Sequence, residues 1–187
     1  LGIDPEDAAS GLRAGLGAAA LAAGAVALGA ALPATRRFFH DRRVGGAGRR
    51  EAAYHLAVRI PLATALAEEL QFRGVLLALL RRRRSPATAA LWTSLLFGAS
   101  HALPTIDHYQ GNPVSDLAAD PGRGRRLTVL ATTLSTAAAG GAFAWLRLRS
   151  GSVLAPTLAH AAVNVSAYLG GRRVVRRQAA ADLIPHG

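Results

Sequence analysis

The chain has 187 residues, 51% of them hydrophobic and 18% charged, with a mean hydropathy of +0.23. That length fits one domain, and hydropathy this high excludes a disordered chain. There is no cysteine, which excludes disulfides, thiolate metal sites and a cysteine nucleophile. All 22 basic residues are arginine and the net charge is +11, a balance that suits either nucleic acid or an anionic membrane surface.

The distribution of the arginines decides between these. In chain order, residues 14–34 are uncharged and rich in Ala, Leu and Gly. Residues 52–80 are apolar but carry Arg59, Glu68, Glu69 and Arg73. Residues 86–106, 127–146 and 150–171 are uncharged. Each stretch is about long enough to cross a hydrocarbon layer of ~30 Å at ~1.5 Å per residue. Between them lie arginine runs such as Arg36-Arg37, Arg42-Arg43, Arg49-Arg50, Arg81 to Arg84 and Arg172 to Arg177. Nucleic-acid binders gather arginines on one face of a polar domain, whereas here they bracket apolar spans. The expected fold is therefore all-α: a polytopic transmembrane bundle of about five spans, the last four forming its core, and no nucleic-acid partner. The runs read as anchors that meet anionic lipid head groups.

Segment 14–34 reads as a retained helix rather than a cleaved signal peptide. Its leading flank is acidic (Asp4, Glu6, Asp7) and its basic flank follows it. Leu1 as a first residue points to a start downstream of the true N-terminus or at a non-standard codon. The organisation expected is a first helix and basic loop over 1–51, a core over 52–170 and a basic tail over 171–187. The loop at 35–51, the loop at 107–126 and the tail together hold more arginines than the opposite side. That places them in the cytoplasm and the N-terminus outside.

The polar residues inside the spans carry the functional signal. An intramembrane charge costs ~2.5–3.5 kcal/mol on insertion scales and faces a bundle interior or cavity. Glu69 and Arg73 are four apart on one helix face and can pair. Glu68 sits about 100° around the helix, and that pair leaves it without a role. His101 closes the run Phe97-Gly98-Ala99-Ser100-His101, and His160 lies one turn before Asn164. Polar clusters on three spans are most cheaply satisfied in one shared wet cavity, so Glu68, Glu69, His101, His160 and Asn164 are expected to converge. Such a set suits hydrolysis, with a carboxylate as general base, an imidazole holding water or passing a proton, and His with Asn donating to an oxyanion. Glu68, His101 and His160 are alternatively a zinc-type ligand set, a reading weakened by the absence of the motif His-Glu-x-x-His. No cofactor is expected, with a divalent metal such as zinc as the alternative.

Three motifs in order resemble the CPBP family, also called the ABI or CAAX protease family, of intramembrane glutamic endopeptidases. They are Glu68-Glu69-Leu70-Gln71-Phe72-Arg73 with Pro61 upstream and Gly74 after, Phe97 to His101, and His160 to Asn164. The turn Gly151-Ser152-Val153-Leu154-Ala155-Pro156 also looks like the family's entry into its last core helix. The resemblance covers about residues 52–170. It implies a helical membrane core that cleaves a membrane-associated protein or peptide. It also implies that Glu68 and His101 activate the water and that His160 and Asn164 stabilise the oxyanion. Glu69, Arg73 and Phe97 would shape the site. The alternative is a non-catalytic membrane scaffold or immunity-type protein of the same fold. The segment 104–126, with Asp107, His108, Tyr109 and Gly111-Asn112-Pro113, reads as a solvated loop. His40, His55 and His186 read as solvated or interfacial.

Overall fold

The computed structural model describes residues 1–108 and 114–181, with backbone alone at 42, 43, 108 and 116. Tyr109, Gly111-Asn112-Pro113 and His186 lie outside the described residues, as does the side chain of His108. The described residues form helices joined by short turns, with no strand among them. We label the main helices α1 (Ala8–Ala31), α2 (residues 49–81), α3 (Pro86–Ser100), α4 (Ala102–His108), α5 (Pro121–Ser150) and α6 (Leu154–Ala181).

Local chemistry sets the helix ends. The Ser85 hydroxyl accepts from the Thr88 amide and Asp120 accepts from the Arg123 amide, each followed by a proline in the first turn. α5 ends at Gly151, whose φ of 73° is the left-handed conformation that glycine tolerates, and Arg147 Nη1 donates to its carbonyl at 2.8 Å. α2 runs unbroken through Pro61 because its turns widen to i→i−5 hydrogen bonding over His55–Leu66. The wider turn accommodates a ring that has no N–H and would crowd the carbonyl four residues back. Pro61 therefore lies inside the helix rather than starting it.

Two boundaries differ from the sequence reading. The expected span 86–106 is two helices, with the break at His101. Pro104 explains this, since its nitrogen has no hydrogen to donate to the Ser100 carbonyl and its ring clashes with that carbonyl. Part of the expected loop is thus α4 and the turn Ser115–Leu117, which supports Gly124 of α5: a Cβ there would stand 2.5 Å from the Ser115 carbonyl. The basic tail begins as helix, because residues 171–181 continue α6. Arg, Val, Gln and Ala offer no breaker there.

α1 lies along α6, α3 along α5, and α6 also packs against α2 and α5. A small apolar core of Phe143, Leu146, Ala155 and Ala159 joins α5 to α6, with Ala14 and Ala18 of α1 against it. Small residues let the backbones approach. Gly15 faces Ala155 and Leu158, and Gly98 faces the Thr133 carbonyl and Ala137.

The polarity of the interior is inverted relative to a soluble protein. The largest fully buried side chains include Arg73, Glu69, Thr93 and Thr128, while Leu21, Leu28, Leu91, Trp92, Leu130, Leu134 and Trp145 point outward. Contiguous exposed apolar surface on this scale belongs in lipid. Hydroxyls on the helices bond back to their own carbonyls, as Ser94 does to Ala90 and Thr136 to Thr132. By length and composition two helices can cross a membrane, Pro5–Ala31 and Pro121–Ser150.

Gly98→Val places its Cβ 2.5 Å from the Thr133 oxygen and 2.7 Å from Ala137. It is expected to lower stability by ~1–3 kcal/mol. Gly17→Val, with nothing within 4 Å, is expected to shift it by less than ~0.5 kcal/mol. Thermal loss of helicity in detergent compares the two.

Candidate active site

The site is built on the middle of α2. The i,i+4 spacing of Glu69 and Arg73 brings Arg73 Nη1 within 3.0 Å of Glu69 Oε1, with both side chains fully buried. Arg73 Nη2 crosses to α5 and donates to the Gly140 carbonyl at 3.0 Å. Glu69 Oε1 also accepts from His160 Nδ1 on α6 at 2.9 Å. A carboxylate oxygen only accepts, so Nδ1 carries the hydrogen and Nε2 is left facing elsewhere. Three helices are thereby tied through two side chains of one.

Glu68 takes the neighbouring direction. Its Oε2 lies 3.9 Å from His160 Nε2, beyond a direct hydrogen bond. Among the described residues Glu68 Oε2 is buried with no hydrogen-bond partner, although the side chain as a whole is 28% exposed. Of two adjacent carboxylates, one is consumed by the packing and the other is unclaimed.

Aromatic rings wall the cluster. The chain has only five phenylalanines, and Phe72, Phe97 and Phe143 all lie here. The Arg73 guanidinium stands 4.3 Å from the Phe97 ring centre and 5.4 Å from that of Phe143, a cation–π arrangement in a dry interior. His160 stacks on Phe143 at 4.9 Å and meets Phe97 edge-on at 5.9 Å. His101 packs on the other side of Phe97, 4.7 Å between centres, and its Nδ1 donates to the Phe97 carbonyl at 2.8 Å. Among the described residues its Nε2 has no hydrogen-bond partner, as in His160.

The structure thus brings Glu68, Glu69, Arg73, Phe97 and His160 into one cluster, with His101 joined to it through the Phe97 ring. Asn164 follows His160 by one turn on α6 and makes no hydrogen bond among the described residues. Among the described residues no three His, Asp or Glu side chains gather closely enough to hold a metal ion. Three contributors escaped the sequence reading: Gly140, Phe72 and Phe143. Gly140 is required because a Cβ would stand 2.9 Å from Arg73 Nη2 and 3.2 Å from Phe97. The scarcity of aromatic residues was the available signal for the phenylalanines. His55 lies apart from the cluster, stacked on Tyr168 at 5.4 Å.

A family model described as type II CAAX prenyl endopeptidase Rce1-like matches residues 51–166. That is well over half of the chain and holds every residue of the cluster. The chain belongs to the Rce1-like family. No curated protein and no solved structure matches it. Rce1-like proteins are membrane-embedded peptidases, which agrees with the inverted polarity of this bundle and with the polar cluster buried in it.

Removing one member of the buried pair strands the other charge. Arg73→Met is expected to cost ~3–5 kcal/mol, and adding Glu69→Leu to it to recover a large part of that. Thermal unfolding of the two variants in detergent measures the difference; equal losses would mean that the pair is not coupled.

Proposed function

We propose that this Rce1-like protein is an intramembrane endopeptidase of the glutamic type, with Glu68 as general base. The observation that carries the reading is the buried, unpartnered Glu68 Oε2 opposite His160 Nε2. A gap of 3.9 Å is one that a single water spans with ordinary hydrogen bonds of ~2.8 Å to each side. In this reading Glu68 takes a proton from the water, and His101 Nε2 holds the same water through its other hydrogen. The water oxygen attacks the scissile carbonyl carbon. The tetrahedral oxyanion accepts hydrogen bonds from His160 and from the Asn164 amide. Collapse breaks the C–N bond and Glu68 passes its proton to the leaving amine. Glu69 and Arg73 hold His160 in place and take no part in the proton transfers. No metal is required by this scheme; the alternative of a zinc-type site would need Glu68, His101 and His160 to draw closer together than they stand here.

The substrate class is a membrane-associated protein or peptide, and the family's name makes a prenylated C-terminal CAAX peptide the first probe. We place the chain in the cell membrane with about five spans, its N-terminus outside and its arginine-rich loops and C-terminal tail in the cytoplasm, in contact with anionic head groups. The competing reading is a non-catalytic scaffold of the same fold. It has no use for an unpaired buried carboxylate beside a positioned imidazole.

Purified protein in detergent is expected to cleave the prenylated peptide with or without a strong chelator. Glu68→Gln and His101→Ala are expected to insert normally and to lose ~10²–10⁴-fold in rate, the range for general acid–base groups. Loss of activity to the chelator alone would turn the same residues into a metal site. Full activity in Glu68→Gln would overturn the role of the glutamate.

A further inference from the structure

A groove of about 660 Å³ opens between the C-terminal end of α1 and the C-terminal half of α6, away from the Glu69–Arg73–His160 cluster. Its floor is apolar, with Ala27 on α1 and Leu169 and Val174 on α6. Its rim holds Arg36, Arg173 and Arg177. No aspartate or glutamate lines it. Among the described residues none of the three guanidinium groups has a hydrogen-bond or ion-pair partner. That sets them apart from Arg73, Arg147 and Arg172, which all donate to backbone carbonyls.

The groove is held open by defined contacts. The Thr35 hydroxyl donates to the Gly29 carbonyl at 2.6 Å, which fixes the turn that carries Arg36. Phe39 wedges between Gly29 and Gly170. Arg172 Nη1 donates to the Val44 and Ala47 carbonyls at 3.1 and 2.8 Å, which ties the following loop to α6. The volume is that of a ligand site. The segment after α1 and the C-terminal half of α6 both become arginine-bearing here, which is the depth at which a bilayer changes from acyl chains to phosphates.

We propose that this groove is a binding site for one anionic phospholipid. An acyl chain lies along the Ala27, Leu169 and Val174 floor, and the head-group phosphate sits among Arg36, Arg173 and Arg177. Net negative charge is what the site selects, since three unpaired guanidinium groups favour a head group whose phosphate is not neutralised by its own choline. The site rests on the placement of the chain in a membrane and not on its being a peptidase.

The test is native mass spectrometry of the full chain released from nanodiscs of equal phosphatidylglycerol and phosphatidylcholine content. Preferential retention of one phosphatidylglycerol is expected, and millimolar inorganic phosphate is expected not to displace it. The variant Arg36→Gln/Arg173→Gln/Arg177→Gln is expected to lower that retention about ten-fold or more, given the weight of each basic residue near a lipid surface. Ala27→Phe, which fills the floor without changing charge, is expected to lower it likewise. Arg82→Gln/Arg83→Gln/Arg84→Gln removes equal charge at another helix end and is expected to leave it intact. Equal retention of the two lipids by the unaltered protein would overturn the proposal. So would displacement by phosphate, equal loss in both triple variants, or full retention in the groove variants. Should the first triple variant lose helicity, Ala27→Phe decides.

Discussion

A guanidinium cannot stay unpaired in a hydrocarbon layer, and Arg73 is fully buried in this bundle. Moving an ion of this kind out of water costs several kcal/mol even after relaxation, and only close, well-directed partners offset it. Arg73 has three: the Glu69 carboxylate, the Gly140 carbonyl and the faces of Phe97 and Phe143. Because the partners sit on α2, α3 and α5, and because Glu69 extends the chain of bonds to His160 on α6, one charge fixes the relative positions of four helices. The network is not complete. Glu69 Oε2 and Arg73 Nε are buried without partners, so its contribution lies in specifying the arrangement more than in net stability.

The rest of the packing follows from keeping that cluster dry and close. Gly140 has no side chain because Arg73 and Phe97 occupy the space of one. Gly98 and Gly15 bring α3 onto α5 and α1 onto α6 by the same means. Bulky leucines and tryptophans are left to the outside, where lipid receives them. In such a bundle there is little hydrophobic gain in burying leucine, so close backbone contact and interior polar bonds have to hold the helices together.

The legible part of this arrangement was local. The Glu69–Arg73 pair follows from four-residue spacing, and the helical character of 52–80, 127–146 and 150–171 follows from composition and length. The illegible part was carried by backbone atoms brought from far along the chain. The Gly140 carbonyl lies 67 residues from Arg73 and has no side-chain signature. Arg172 looked like one more lipid anchor in a basic run, yet it bonds to carbonyls in a loop more than a hundred residues earlier. The break at His101 was in reach, because Pro104 forbids a continuous helix over 86–106; uncharged length masked it. Glu69 is paired with Arg73 by spacing in the sequence and is expected only in general terms to converge with the other polar residues. Its second bond, to His160, depends on which helix packs opposite, and no spacing within α2 reveals that.

The order of the two glutamates then acquires a physical meaning. Consecutive residues on a helix diverge by about 100°, so only Glu69 pairs with Arg73, while the two carboxylates approach different nitrogens of His160, Glu69 at Nδ1 and Glu68 at Nε2. The arginine stands four residues after the second glutamate and five after the first, which commits Glu69 to the ion pair and leaves Glu68 over the edge of the His160 ring. The spacing that specifies the arrangement of the bundle therefore also sets which carboxylate the arginine holds and which is left facing His160 Nε2. The held member of the pair also keeps His160 turned with Nδ1 inward and Nε2 toward its neighbour.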